Sequence, residues 1–449
     1  MTLVGIDVGT TWCKAALVAE DGRELAHHRV HTPWNQVASG AEIEPARLLT
    51  AALEACAGAL AAAPTAAVAG VGVTSMAETG VLIDAGGEPV ANAIAWHDQR
   101  GTEEMRVLTP ALGGAARFGQ VTGLPPSPLC TLAKYAWLRE RAPASANGVR
   151  WLNVAEWVVR SLGGEELADL SLASRTGMLD LDRASPWDES LDAVRAPPGL
   201  LPQLAPSGTP AGRVSRGLEQ AEGAILCTAG HDHLCAAIGA GATGDDDVFD
   251  SCGTAEALIR ALPPSSSARL RARALAAEVT VGWHALPGRH ALLAAFLGGL
   301  ALRRLGALLG AADDESRHAL EAGAADVEAA GSGTAVLAAR STAELPSGAD
   351  PPAVWRAALE AQAATARTKL DRLDSLAGPH RRVVAAGGGV RSDAALDARR
   401  RAFGPSRLER PDVGEAGARG AALLAGVAAG VFDHVRSLPT PAQGLGATQ

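Results

Sequence analysis

The chain has 449 residues, a length that favours two domains over one compact core. Its composition, 47% hydrophobic and 20% charged, is typical of a globular protein, and its net charge of −9 offers no basic block to attract nucleic acid or an anionic membrane. Six cysteines lie far apart with no CxxC pair, which predicts reduced thiols in a cytoplasmic protein. Asp7 interrupts the first apolar run, so a secretory signal is not expected.

The first predicted elements are strands and a helix. A β-hairpin is predicted by LVGIDVG and WCKAALVAEDG, and a third strand by ELAHHRVHT. A helix is predicted from Pro45 to Pro64, because apolar residues recur at helical spacing and Pro45 suits a first turn. More strands are predicted by AVAGVGVTS and by GVLIDAGGEPVANAIAW, which contains a Gly-Gly turn. This order indicates a mixed α/β fold.

The second half repeats the mixture of strands and helices. The middle, from Gly101 to Gly223, is rich in proline and gives few signals. A second strand-rich passage begins near Ala224. A helix is predicted from Val354 to Leu373, and RRVVAAGGGVRSD predicts a strand, a glycine-rich turn and a helix.

The tip of the first hairpin is unusually polar. Its candidate functional residues are Asp7, Gly9, Thr10, Thr11 and Lys14. Glycine lets the backbone approach a phosphate closely, and hydroxyl and backbone N–H groups can bind its oxygens. An Asp beside them suits Mg²⁺. The alternative is an ordinary polar turn.

A second candidate site lies in AGHDHLCAAIGAG, where Asp232 follows a predicted strand. A carboxylate there could accept a proton from a substrate hydroxyl. A helix N-cap is one alternative. A zinc site formed by His231, His233 and Cys235 is another, although alternate residues share a face only in a strand and no matching partner motif occurs elsewhere in the sequence.

Two further glycine motifs are compatible with nucleotide binding. Gly253 and Thr254 lie in a second predicted hairpin turn, and the run Gly387–Gly389 separates a strand from a helix. Such turns permit close contact with a phosphate or a flat ring, and a plain tight turn is the alternative. Neither the Walker spacing nor the dinucleotide GxGxxG pattern is matched by these runs.

The order of these motifs resembles the FGGY family of carbohydrate kinases, in the actin–hexokinase ATPase superfamily, over nearly the whole chain. The segment GIDVGTTWCK resembles the family's first phosphate motif. The segment SMAETGVLIDAGGEPVANAIAWHDQR resembles the family's sugar-contacting segment, and TLAKYAWLRE resembles its signature helix. The segment AGHDHLCAAIGAG is similar to the family's segment with the catalytic base, and CGTAE is similar to its second phosphate turn. The segment GGGVRS is similar to the family's adenosine motif, and VGEAGARGAALLAG is similar to its closing helix.

The resemblance implies an α/β protein with two actin-like (ribonuclease H-like) ATPase domains, each a mixed five-stranded sheet flanked by helices, with a catalytic cleft between them. The domains would cover residues 1–223 and 224–435, and 436–449 would be a flexible tail. The resemblance also implies ATP and Mg²⁺ as cofactors and a small sugar or polyol as partner. No nucleic-acid or membrane partner is expected, and a homodimer is left open.

The resemblance gives each candidate residue a role. Asp232 would be the general base, and Asp7 and Asp232 would bind the metal. The residues in contact with ATP would be Gly9, Thr10, Thr11, Lys14, Gly253, Thr254, Gly387, Gly388 and Ser392. The residues in contact with the acceptor would be Met76, Ala77, Glu78, Thr79, Trp96, Asp98, Arg100 and Asp232.

The acceptor segment departs from the pattern of the family. Met76-Ala77-Glu78-Thr79-Gly80 stands where many pentulose kinases have Met-His-Gly and glycerol kinases have Arg-Glu-Thr. A carboxylate at Glu78 would favour a neutral substrate over an acid sugar such as gluconate, because like charges repel. A pentulose such as xylulose or ribulose is the predicted acceptor, and glycerol or a tetritol is the alternative. Asp98 and Arg100 would line or support the same pocket.

Two points stay open. The family's Pro-x-Leu-x-Gly-Glu-Arg-x-Pro loop is not recognisable between Gly310 and Pro351. An alternative of another class is an actin-like ATPase whose nucleotide cycle drives the binding of a protein partner. The polar segment from Ser75 to Arg100 argues against it, since an assembly ATPase needs no small-molecule pocket there.

Overall fold

A computed structural model describes residues 1–38, 40–63, 67–253, 255–264, 267–348, 350–390, 392–404 and 406–442. The strands, in chain order, are β1 (Thr2–Val8), β2 (Trp12–Ala19), β3 (Glu24–His31), β4 (Asn35–Val37), β5 (Gly40–Ile43), β6 (Val68–Ser75), β7 (Gly80–Ile83), β8 (Ala93–Ile94), β9 (Arg150–Asn153), β10 (Leu167–Asp169), β11 (Leu179–Asp180), β12 (Ser185–Pro186), β13 (Gln203–Ala205), β14 (Pro210–Arg213), β15 (Ile225–His231), β16 (Asp247–Cys252), β17 (Glu256–Leu262), β18 (Thr280–Trp283), β19 (His290–Phe296), β20 (Arg382–Ala386) and β21 (Arg407–Glu409). The helices are α1 (Pro45–Ala62), α2 (Thr102–Ala111), α3 (Gly114–Thr122), α4 (Thr131–Arg141), α5 (Val154–Ser161), α6 (Leu170–Ala173), α7 (Asp188–Ala193), α8 (Asp232–Gly239), α9 (Ala268–Ala276), α10 (Gly298–Leu308), α11 (Asp314–Gly323), α12 (Gly333–Ala338), α13 (Pro351–Ala377), α14 (Asp393–Phe403) and α15 (Ala416–Ala428).

The chain forms two compact units, neither of which is a single continuous segment. The amino-terminal unit contains Met1–Thr243, Ala261–Leu292 and Val413–Pro441. The carboxy-terminal unit contains Gly244–Arg260, Leu293–Asp412 and, among the described residues, Ala442. The division of the chain at residue 223 and the flexible tail stay predictions.

The amino-terminal unit is built on a six-stranded mixed sheet in the order β14-β15-β6-β1-β2-β3. The predicted hairpin is confirmed, since β1 and β2 pair antiparallel with Asp7 opposite Lys14. β1 also pairs parallel with β6, which pairs parallel with β15. β14 is one strand more than the predicted five. Strands buried on both faces need near-continuous apolar runs, and β1 and β6 have them.

Helices cover both faces of this sheet. Alternate residues of a strand point to opposite faces, and Ile6 packs in the cluster that contains α1, whereas Leu3 packs in the cluster that contains α15. The alanine-rich α15 lies unusually close to the strands. A Cβ atom on Gly5 would lie 1.7 Å from the carbonyl oxygen of Ala418, so only glycine fits at this point of β1.

The carboxy-terminal unit contains a second mixed sheet, in which β17, β16, β20 and β21 are neighbours in that order. β16 pairs antiparallel with β17 and parallel with β20. The predicted helix around Val354–Leu373 is confirmed and runs further, as α13. Its Trp355 and Ala363 pack against Ala395 of α14, in a cluster that also includes Leu302 of α10.

The middle of the chain, where sequence signals were few, holds a second core within the amino-terminal unit. Phe118, Tyr135, Trp151 and Trp187 are buried together there. β7 pairs with β9 of this region, and the strand predicted after the Gly-Gly turn is shortened to β8. All six cysteines are buried thiols, as expected for small apolar residues. Within the described part of the chain, the helices are too short or too polar to cross a membrane.

Candidate active site

The polar hairpin tip is positioned by two tryptophans. Gly9 N donates to Trp12 O at 3.1 Å, which closes the turn between β1 and β2. Trp34 Nε1 donates to the carbonyl oxygen of Thr10 at 2.7 Å, and Trp96 Nε1 donates to its hydroxyl at 2.8 Å. The Thr10 side chain is therefore oriented by a residue of the predicted acceptor segment.

Asp7 and Lys14 form an ion pair at the base of this turn, together with a residue that the sequence did not indicate. Lys14 Nζ lies 3.5 Å from Asp7 Oδ2 and 3.1 Å from Oε2 of Glu415, the residue that precedes α15. Burial raises the pKa of Asp7 to about 6; Lys14 lowers it, and Asp232 and Glu415 raise it. For Lys14, burial lowers the pKa, but Asp7 and Glu415 outweigh it and the net shift is upward.

Asp7 also fits tightly against the start of α15. A Cβ atom on Gly417 would lie 2.6 Å from Asp7 Oδ2, so glycine is needed here for the carboxylate to keep its position. Asp7 Oδ1 is buried and accepts no hydrogen bond from the described residues. A free, buried carboxylate oxygen beside a second carboxylate is a reasonable ligand for a hard divalent cation such as Mg²⁺.

Asp232 lies where β15 ends and α8 begins. It is the first residue of α8, and the N-cap residue is His231, so the alternative of an N-cap at Asp232 is wrong. The backbone N–H of His233 donates to Asp232 Oδ1 at 2.7 Å. Although 22% of its side chain is exposed, desolvation raises the pKa of Asp232 to about 7; the His233 N–H and Lys14 lower it, and Glu78 raises it.

The zinc alternative is not formed as the sequence suggested. Cys235 Sγ donates to Ala229 O at 2.9 Å and is buried. Potential ligand atoms of His231, Asp232 and His233 do lie within 4.8 Å of one another. Burial lowers the pKa of His231 well below its ordinary range and that of His233 to about 4, so both imidazoles are neutral at pH 7.

The acceptor segment presents one polar side chain towards this site. Met76 and Ala77 are buried in the hydrophobic core, and Thr79 is fully buried. Glu78 has a left-handed backbone, with φ of 61°, and its Oε1 accepts from Arg175 Nε at 2.8 Å. Sequence reasoning missed Arg175, which balances the charge of Glu78. The preference for a neutral acceptor, which the sequence suggests through repulsion by the Glu78 carboxylate alone, stays a prediction.

Asp98 and Arg100 support the segment from within. Arg100 Nη2 lies 2.8 Å from Asp98 Oδ2, and Arg100 Nη1 lies 2.6 Å from Glu42 Oε2. Asp98 Oδ2 also accepts from the backbone N–H of Ala41 at 2.8 Å. Both side chains are buried in these contacts, which favours the supporting role over direct contact with an acceptor.

Lys134 of α4 fixes the position of Trp96. Its buried Nζ donates to the carbonyl oxygens of Trp96 at 3.1 Å, Pro128 at 3.2 Å and Leu129 at 2.8 Å. Burial lowers the pKa of Lys134 to about 8. Since Trp96 in turn donates a hydrogen bond to Thr10, Lys134 connects α4 to the hairpin tip.

We expect Lys134→Met to lower the free energy of unfolding by roughly 2–4 kcal/mol, because three buried carbonyl oxygens lose a charged donor. Urea unfolding monitored by tryptophan fluorescence measures this. Arg139→Met on the same helix is the control, since Arg139 donates to carbonyl oxygens at a more exposed position. Equal stability of the two variants would contradict the role given to Lys134.

The remaining predicted nucleotide residues lie in the carboxy-terminal unit. Gly253 is in the turn between β16 and β17, and Thr254 lies outside the described residues. Gly387, with φ of 112°, follows β20, and a Cβ atom on it would lie 2.6 Å from Cys252 O. The two glycine turns are therefore in contact. Ser392 caps α14 by accepting from Ala395 N, at 3.2 Å.

A buried ionic network supports this pair of turns. Arg399 of α14 donates from Nε to Asp250 Oδ2 at 3.0 Å and from Nη2 to Glu256 Oε1 at 2.7 Å. Gln362 of α13 donates to Glu256 Oε2 at 2.6 Å. Asp250 and Glu256 lie on the two strands joined by the Gly253 turn, so the network connects that hairpin to both helices.

Most of the chain is similar to proteins of one known family. Residues 2–239 match the N-terminal domain of the FGGY family of carbohydrate kinases, and residues 323–429 match its C-terminal domain. The chain is 31% identical over 462 residues to a glycerol kinase of Geobacter sp. (strain M21), covering 96% of this chain and 91% of that protein. It is 33% identical over 244 residues to a xylulose kinase of Streptomyces coelicolor, but this match spans only 53% of the chain and 50% of that kinase.

A solved structure extends the likeness to the whole fold. A xyloylose kinase from Brucella ovis superposes with a TM-score of 0.81 and 25% identity, over 99% of this chain and 94% of that one. The predicted two-domain, actin-like α/β fold is thereby confirmed. On its sequence, motif order and fold, the chain belongs to the FGGY family of carbohydrate kinases.

Proposed function

We propose that the protein is an ATP-dependent carbohydrate kinase that transfers the γ-phosphoryl group of ATP to a hydroxyl of a small neutral sugar or polyol. The observation that carries the proposal is that β1 and β15 flank β6, with Asp7 and Gly230 both paired with Thr74, so that the Asp7–Lys14 ion pair and Asp232 lie at the same edge of the sheet. These groups supply what phosphoryl transfer requires, which is positioning and charge neutralisation more than covalent chemistry.

Asp232 would act as the general base. The acceptor hydroxyl gives its proton to the Asp232 carboxylate while its oxygen forms a bond to the γ-phosphorus. The bond from the γ-phosphorus to the bridging oxygen breaks, and its electron pair leaves with ADP. A base with a pKa of about 7 suits this step, since about half of it is deprotonated at pH 7 and it is more basic than an ordinary carboxylate.

The hairpin tip would contact the phosphates. Gly9, Thr10 and Thr11 offer backbone and hydroxyl groups at the turn, and the Lys14 ammonium adds a positive charge that is held in position by Asp7 and Glu415. Asp7 and Asp232 would hold Mg²⁺, and that ion, when bound, neutralises charge on the phosphate oxygens. By the resemblance to the family, Gly253, Thr254, Gly387, Gly388 and Ser392 are also proposed to contact ATP.

The acceptor is proposed to be a pentulose such as xylulose or ribulose, with glycerol or a tetritol as the alternative. The names of the relatives support both, since one is a xylulose kinase and another a glycerol kinase. Glu78-Thr79 favours the polyol, whereas Ala77 replaces the arginine of the glycerol kinase pattern.

A coupled assay of ADP release tests the proposal directly. Purified protein is given ATP and Mg²⁺ with each of a series of pentuloses, tetritols, glycerol, hexuloses and aldonates. We expect ADP release to rise strongly with a neutral ketose or polyol. An ATP turnover that no acceptor raises would instead favour the actin-like ATPase alternative.

The pH profile of kcat/KM should show an acidic limb near pH 7. Asp232 must be deprotonated to accept the acceptor proton, so activity falls as the pH drops through its raised pKa of about 7. Because Lys14 lowers this pKa, Lys14→Met should move the acidic limb to higher pH, and it should also lower the maximal kcat/KM. A limb that stays in place in this variant would contradict the electrostatic contact between Lys14 and Asp232.

A further inference from the structure

The Glu78–Arg175 ion pair is a feature of the acceptor site that no sequence motif indicated. Arg175 Nε and Nη2 lie 2.8 Å and 2.7 Å from Glu78 Oε1, and Arg175 Nη1 donates to Thr280 Oγ1 at 3.0 Å. The left-handed backbone of Glu78 is unusual for a residue with a side chain and costs about 1 kcal/mol or more. The ion pair helps to keep the chain in this conformation.

The pair has bonding capacity left for a ligand. An arginine side chain has five N–H donors: in Arg175, Nε donates to Glu78, one N–H of Nη1 donates to Thr280, and one N–H of Nη2 is taken up by the ionic contact with Glu78 Oε1. The other two have no acceptor, and Glu78 Oε2 accepts no hydrogen bond, among the residues that the structure describes. Arg175 is 20% exposed and Glu78 10% at the side chain, so a small molecule can reach both.

The pair also lies within electrostatic reach of the proposed base. The charge of Glu78 raises the pKa of Asp232, and the charge of Arg175 lowers the pKa of His233, whose main shift comes from burial. Glu78, Arg175 and Asp232 all belong to the amino-terminal unit. We expect the neighbouring carbons of an acceptor whose hydroxyl lies at Asp232 to extend towards this pair.

We propose that Arg175 determines acceptor specificity as a neutral pair with Glu78, which binds two adjacent hydroxyls of an uncharged polyol or ketose. One hydroxyl donates to Glu78 Oε2, and its neighbour accepts from a free N–H of Arg175. An aldonate gains no binding from this pair, because Glu78 already neutralises the guanidinium that would otherwise bind its carboxylate. This inference rests on the proposed kinase function and names the class of its acceptor.

Glu78→Gln tests the inference because it removes the carboxylate charge and nearly keeps the shape. The probes are pairs with the same carbon skeleton, sorbitol with gluconate and xylitol with xylonate, together with xylulose. We expect the ratio of kcat/KM for the acid to that for the neutral acceptor to rise about tenfold or more, since Arg175 is then free to bind a carboxylate. Calorimetric titration with gluconate and xylonate gives the same comparison without turnover.

Two further variants distinguish an effect of the Glu78–Arg175 pair from a general loss of structure. Glu78→Gln combined with Arg175→Met should lose the gain in aldonate binding. Glu103→Gln, in the exposed Arg106–Glu103 pair, is the matched control and should leave the ratio unchanged. If Glu78→Gln does not fold, Arg175→Met alone should weaken the binding of neutral acceptors while gluconate and xylonate remain excluded.

The inference is overturned if folded Glu78→Gln keeps the acid-to-neutral ratio of the wild type, or if the double variant keeps the gain. Neutral acceptors binding equally well to Arg175→Met and to the wild type would also overturn it. Failure of the proposed function has a different signature, since wild-type protein would then release no ADP with any acceptor while the calorimetric comparison of the variants could still be made.

Discussion

Asp232→Asn is expected to lower kcat by roughly 10²- to 10⁴-fold and to leave ATP binding nearly unchanged. Asparagine keeps the size of the side chain, can still accept the N–H of His233, which donates to Asp232 at 2.7 Å, and still offers an oxygen to a divalent cation. It cannot take the proton of the acceptor hydroxyl. The loss should therefore appear in turnover, measured by ADP release, while nucleotide affinity measured by calorimetry changes little.

Asp188→Asn is a matched control for this variant. Asp188 is the first residue of α7, as Asp232 is of α8, but it is exposed. We expect wild-type kinetics from it. Near-normal phosphorylation by Asp232→Asn would remove Asp232 from the role of base.

Arg399→Met is expected to destabilise the carboxy-terminal unit by about 3–5 kcal/mol. The side chains of Arg399, Asp250 and Glu256 are all 0% exposed. Removing the guanidinium leaves two carboxylates buried without their cation, and burial already raises the pKa of Glu256 to about 8. Chemical denaturation, with a probe in the carboxy-terminal unit such as Trp355, measures the loss.

Arg400→Met separates this effect from any loss of an arginine in α14. Arg400 pairs with Asp397 one turn earlier, and both side chains are largely exposed, so its removal should cost less than 1 kcal/mol. Adding Asp250→Asn and Glu256→Gln to Arg399→Met should recover part of the stability, because no uncompensated charge remains. If Arg399→Met unfolded like Arg400→Met, the network would not support the Gly253 hairpin.

Elements with a strong local pattern could be predicted from the sequence. The β1–β2 hairpin, α1 and α13 have regular apolar spacing, and Pro45 marks the start of α1, whereas α13 begins at Pro351, three residues before its predicted start. The region from Gly101 to Gly223 could not be read in this way. Its strands are short, and β9 pairs with β7 outside the region while β10 pairs with β13, so no local spacing records these pairings.

The candidate site was predicted only where its residues belong to motifs. Asp7, Lys14 and Asp232 stand in recognisable glycine-containing segments, and the structure places them within electrostatic reach of one another. Arg175 was missed because it lies in none of the motifs, and Glu415 because it lies in the segment VGEAGARGAALLAG, in which no residue was given a role. Arg175 follows the short α6, and Glu415 precedes α15, which packs on β1 through glycines.

The expectation for Glu78 shows what a sequence motif leaves out. Its carboxylate was read as an isolated charge, whereas the structure pairs it with Arg175, 97 residues later. The preference for a neutral acceptor survives as a proposal, but with another cause: a pair with no net charge that has hydrogen-bonding capacity left. Asp98 and Arg100 likewise satisfy each other and β5, which a linear motif does not reveal.

Phosphorus NMR of the reaction mixture tests the central claim most directly. Wild-type protein with ATP, Mg²⁺ and a neutral ketose or polyol should produce a phosphate ester of the acceptor in equal amount to the ADP released, and Asp232→Asn should produce almost none. Release of inorganic phosphate in place of the ester, or ester formation undiminished in Asp232→Asn, would contradict the account.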